Sequence, residues 1–158
     1  MAFAQQLRLA SVVVFIGLLL VGTAGAAQLS QRESSILTAV NKVRAAHELR
    51  PLAVDRRLVR VARRHSSKLL RRDVLTHGDF GTRIRLSGAL GPRFGENLAW
   101  GTGRYASARS VVRAWLRSPG HRRNLLRPGF RRIGLGAVTG RFGGHSGATV
   151  VTADFAGR

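Results

Sequence analysis

The sequence predicts an α+β fold, a small antiparallel sheet covered by helices, and three observations carry that prediction. Apolar residues recur at helical spacing through most of the first two thirds of the chain. Ile133 to Val138 and Ala148 to Phe155 instead read as strands joined through glycine-rich Gly140 to Gly147, the pattern of a hairpin. The 158 residues are 44% hydrophobic, which suits one domain with a packed core. Zero cysteine leaves that core to hold by packing alone, and excludes disulfides, thiolate nucleophiles and thiolate metal sites together.

The chain opens with Arg8, an apolar run from Leu9 to Val21 and the small residues Ala24 to Ala27. Basic, apolar and small in that order predict a secretory signal peptide over residues 1–26, cleaved after Ala26. The alternative is a retained membrane anchor, for which the run is short of the roughly 20 residues that a span needs. Residues 27–158 then form one domain, expected in a secreted location, extracellular or periplasmic.

Ser30 and Glu33 make a capping-box pattern ahead of Ile36, Leu37, Val40 and Val43, so a helix is expected to run to about His47. Glu48 to Asp55 reads as a connecting turn, and Asp55 as the cap of a second helix. Leu58, Val61, Ala62, His65 and Leu69 fall on the inner face of that helix, which makes His65 a core-side, hydrogen-bonded structural group. The His77-Gly78-Asp79 run signals a loop. Phe80 to Leu86 follows as a short helix with Ile84 inward, Gly88 to Gly95 as a connection, and Leu98 to Trp100 as a candidate third strand.

Val111, Val112, Trp115 and Leu116 share one apolar helical face. Ser118-Pro119-Gly120 ends that helix, because proline biases its predecessor out of the α region and glycine admits positive φ. The turn presents His121 and Asn124 on a new short segment. A second polar stretch, Gly95-Glu96-Asn97, lies upstream, and together the two predict the walls of one cleft.

Five strings in order, HSSKLLRRDVLTHGDF, GENLAWG, AWLRSPGHRRNLL, IGLGAV and TVVTADF, resemble the bacterial branch of the CAP superfamily, the SCP-like extracellular domain. The resemblance runs from about Ile36 to Phe155. It implies a three-layer α-β-α sandwich, and it implies a His/Glu cluster able to hold a divalent metal, two of whose members map onto His77 and Glu96. The other two usual positions match Ser118 and Val150, neither a ligand of that kind. The absence of cysteine also departs from the family's cystine-stapled eukaryotic members.

Those residues define the candidate site: a ligand-binding cleft of His77, Glu96, His121, Asn97 and Asn124. Imidazole and carboxylate suit zinc, with His121 as a third ligand beside His77 and Glu96. The competing reading of His77 and Glu96 is a hydrogen-bonded pair that ties two loops, with Asn97 and Asn124 satisfying backbone groups. A Ser118 and His121 nucleophile pair lacks a visible oxyanion hole and orienting acid.

The formal charge of +20 bounds the partner. Lysine supplies only Lys42 and Lys68 of 27 basic residues, and cleavage of the leader removes one further charge, that of Arg8. An arginine surface of this kind adsorbs to anionic polymers by paired contacts to phosphate and carboxylate. With few aromatics, no recognisable nucleic-acid motif and an export signal, specific nucleic-acid binding is not expected. Two functions stay open: a secreted binding module for an anionic envelope polymer, lipid or wall ligand, or an envelope hydrolase acting through Glu96 and His77 as general acid and base or as metal ligands.

Overall fold

A computed structural model describes residues 28–157; the expected signal peptide lies outside them. The elements are α1 (Gln31–Ala45), β1 (Ala53–Val54), α2 (Arg56–Arg72), α3 (Phe80–Ser87), β2 (Phe94–Gly101), a 3-10 turn (Gly103–Ala106), α4 (Ala108–Arg117), α5 (Pro119–Leu125), β3 (Phe130–Phe142) and β4 (His145–Gly157). The strands form one sheet in the order β1-β3-β4-β2. Helices α1, α4 and α5 cover one face and α2 and α3 the other, so the architecture is a three-layer α-β-α sandwich, as the resemblance implies.

Local chemistry explains most element ends. Ser30 and Glu33 close the capping box of α1, Asp55 caps α2 by accepting from Arg57 and Leu58, and Asp79 caps α3 by accepting from Thr82. Pro119 starts α5 immediately after α4 ends, as its fixed φ allows at a first helical turn. The β3–β4 hairpin turns at Gly143 and Gly144, both at positive φ, which glycine adopts without a side-chain clash. Both strands extend well beyond the apolar cores visible in the sequence.

The sheet is mixed, not wholly antiparallel. Within the stretch read as a connecting turn, Ala53 and Val54 pair in parallel with Arg132 and Ile133. Two residues are too few to show a period, so pairing with a distant strand is what makes them β. The candidate third strand is also longer, taking in Phe94 to Asn97 before it and Gly101 after it.

Two glycines set the distance between α2 and the sheet. A β-carbon on Gly134 would overlap the Leu58 and Val59 backbone, and one on Gly136 the Ala62 backbone. Ser66 seals this contact by donating to the Gly136 carbonyl at 2.9 Å, its hydroxyl also 2.8 Å from that of Thr152. On the other face Ile133, Leu135, Val151, Ala153 and Phe155 pack against Ile36, Val40, Val112 and Trp115. The buried Arg44 guanidinium donates to the carbonyls of Arg50, Leu125, Arg127 and Phe130, and so fixes the path of the chain from α5 into β3.

Candidate functional site

Strand β2 is a sheet edge, and side-chain alternation along it divides the polar residues between the two faces. Glu96 points toward α2 and α3, while Asn97 points toward α5. Gly95 has no side chain because its β-carbon would lie 2.8 Å from Asn124 Oδ1. The Asn124 amide donates to the Glu96 carbonyl at 3.1 Å and to Asn97 Oδ1 at 2.9 Å, and the Asn97 amide donates to the His121 carbonyl at 3.0 Å. Trp115 Nε1 donates to the next outward carbonyl, that of Leu98, at 2.8 Å. Side chains of α4 and α5 thus cover the polar backbone of an edge strand that would otherwise invite pairing.

Glu96 is buried, and both of its oxygens are engaged. His77 Nδ1 lies 2.7 Å from Oε1, and Arg83 Nη2 lies 2.5 Å from Oε2. Arg83 also donates through Nη1 to the His77 carbonyl at 2.5 Å, so one guanidinium holds both the carboxylate and the loop above it. His65 Nε2 is 3.0 Å from the Thr76 carbonyl and 3.7 Å from Glu96 Oε2. A carbonyl only accepts, so the His65 proton sits on Nε2 and its buried Nδ1 has no partner. Burial lowers the His65 pKa against the opposing pull of Glu96, and the ring is neutral.

Beneath this knot lies a second acid that the sequence reading did not single out. Asp154 on β4 pairs in register with Glu96, is fully buried, and has no conventional hydrogen-bond partner on either oxygen. Burial first, then the neighbouring Glu96 charge, raises its pKa well above the usual carboxylate range. Both causes favour the protonated form of Asp154. A lone acid among the buried residues of TVVTADF was its sequence signal, since acids are seldom fully buried without a partner. Arg83 gave none: one more arginine in an arginine-rich chain.

The five expected cleft residues do not line one recess. His77 and Glu96 touch, and the His121 ring centroid is 6.4 Å from that of His77. Burial and the adjacent His77 lower the His121 pKa. Asn97 is fully buried on the opposite face of β2, where it and Asn124 hold α5. The neighbouring recess, about 400 Å³ between α2, the 73–79 loop and α3, is lined instead by His65, Lys68, Arg72, Thr76, Thr82 and Arg83.

The expected zinc set of His77, Glu96 and His121 does not fit this arrangement. Both Glu96 oxygens are already engaged, Oε1 by His77 at 2.7 Å and Oε2 by the Arg83 guanidinium, and placing a divalent ion beside Arg83 is electrostatically unfavourable. Among the described residues no group of three or more His, Cys, Asp and Glu side chains is placed to hold a metal. At the two other family positions, Ser118 joins α4 to α5 and Val150 is fully buried in the core.

Comparison with known proteins agrees with this fold. The Bacillus subtilis protein YkwD is 31% identical over 121 residues, which are 73% of this chain and 46% of YkwD. The Bacillus subtilis membrane protein YlbC is 29% identical over 66% of this chain and 31% of its own length. The chain thus spans less than half the length of these relatives. An extracellular SCP-domain protein of Bacillus anthracis superposes with a TM-score of 0.68 at 26% identity, covering 80% of this chain and 40% of that one. An outer surface protein of Borrelia burgdorferi gives a TM-score of 0.66 at 26% identity, covering 78% of this chain and 90% of that one. Venom allergen-like protein 4 of Schistosoma mansoni, at 14% identity and a TM-score of 0.61 over 82% and 90%, shares the fold. The model of the Cysteine-rich secretory protein family, CAP, matches residues 37–155, and the chain belongs to that family.

Proposed function

We propose that this CAP domain is an exported binding module that holds an anionic component of the cell envelope through its basic surface, with the Glu96 knot serving as a structural latch. The observation that carries the reading is the fate of the acids. Glu33 pairs with Arg63, Asp55 with Arg132, and Glu96 with Arg83 and His77. Asp73 accepts from the Gly143 backbone, Asp79 caps α3, and Asp154 is buried. Glu48, Asp73 and Asp79 are the exposed acids, and the latter two are tied to backbone amides, so few carboxylates offset the many exposed arginines. The names of two similar bacterial structures, extracellular and outer surface, support export.

The hydrolase alternative needs Glu96 to accept a proton from water or substrate. Its oxygens already face His77 and Arg83, so the geometry favours the latch. Co-sedimentation of the purified protein with isolated bacterial envelopes tests the proposal. Binding is expected at low ionic strength and should fall steeply as salt screens exposed charges. Retention unchanged in about 1 M salt, where the screening length is roughly 3 Å, would contradict it.

A further inference from the structure

Within that binding reading, on which this inference rests, one element is set apart. Every exposed residue of α2 is basic: Arg56, Arg57, Arg60, Arg64, Lys68, Arg71 and Arg72. Beyond the capping Asp55, the first turn of the helix carries two arginines and no acid. Arg60, Arg64 and Lys68 follow one another at i to i+4, a spacing at which like charges destabilise a helix. None of Arg60, Arg64, Lys68 and Arg71 is in an ion pair among the described residues. The exposed faces of α1 and α4 are interrupted by serine, threonine or alanine, and that of α2 is not.

We propose that the outer face of α2 is the docking surface for a linear phosphodiester polyanion. Helical geometry puts Arg60, Arg64, Lys68 and Arg71 in one stripe about 17 Å long, with a charge at each turn. A row of cations, one to each helical turn, matches a row of phosphates along a single extended chain. Guanidinium forks bind phosphate oxygens in pairs, and three of the four cations are arginine. The crest offers no exposed apolar residue to enter a bilayer and no aromatic to stack on a base. The ligand is therefore read through its backbone charge, and binding relieves the repulsion that the helix carries when free.

The test is fluorescence anisotropy of the purified protein with end-labelled poly(glycerol phosphate). Changing Arg60, Arg64, Lys68 and Arg71 together to Gln should weaken binding at least about tenfold and make the dependence of log Kd on log salt shallower by about 3. The control variant with Arg109, Arg113, Arg117 and Arg122 changed to Gln, equal in charge on α4 and α5, should stay within about threefold of the parent. Arg64→Gln alone should lose about threefold, which keeps the test open if the fourfold variant folds poorly. Equal losses in both fourfold variants would overturn the surface assignment while leaving envelope binding by net charge intact. Tighter binding to anionic phospholipid vesicles than to the polymer, or a clear preference for an oligonucleotide of equal charge, would overturn the ligand class.

Discussion

Glu96 on β2 and Asp154 on β4 face each other in register across the antiparallel ladder, two buried carboxyls with one guanidinium, that of Arg83, above them. Burial, and then the nearby Glu96 charge, disfavour the ionised form of Asp154. The Asp154 pKa is raised on folding. Its contribution to stability is thus full below the unfolded carboxylate value of 3.8 and is lost as pH rises through the folded value. Asp154→Asn removes that loss. Urea unfolding across pH should show the variant equal to or more stable than the parent at pH 7 to 8, with a flatter alkaline limb. A uniform loss of more than about 2 kcal/mol at every pH would contradict a raised Asp154 pKa.

Histidine works with the opposite sign. The pKa values of His65 and His121 fall below 6.5 on folding, so the stability they contribute is present above 6.5 and is lost as pH drops below it. His65→Gln can keep a donor toward the Thr76 carbonyl and does not titrate. The acid-side slope of stability should become shallower by about 1.4 kcal/mol per pH unit between the unfolded and folded values. An unchanged slope would mean that His65 is not held neutral.

Arg83 is the keystone of the latch. Arg83→Gln leaves the buried Glu96 carboxylate with its partner removed, and unfolding experiments should show a loss of about 3 kcal/mol. Combining it with Glu96→Gln should recover part of that loss, because no buried charge then remains. Simple addition of the two single effects would show that the residues act separately.

Gly136→Ala should cost about 3 kcal/mol or displace α2, since the new methyl meets backbone of Ala62, not a side chain able to turn away. Thermal melting measures this directly. A melting point within about 2 °C of the parent would show that the two layers are less tightly apposed.

These cases mark what the sequence discloses. Caps at Ser30 and Asp55, the stop at Ser118-Pro119 and the inward faces of α1, α2 and α4 were legible because each is set by neighbours a few residues away. Strand β1 was not, because two residues become β only by meeting β3. The same distinction divides the site. The pairing of His77 with Glu96 was open to a reading from motifs, but the insertion of Arg83 between carboxylate and loop depends on how α3 lies across α2. Asp154 needed the ladder register to be seen as the partner of Glu96, and Asn97 needed strand alternation to be placed on the far face.

Glu96→Gln offers the most direct measurement on the whole reading. Parent and variant are incubated with labelled envelopes, and retained protein and released fragments are followed together. The account predicts that the variant, though less stable, is retained within about twofold of the parent and that neither releases fragments above background. Release by the parent that disappears in the variant would make Glu96 a catalytic group and contradict the account.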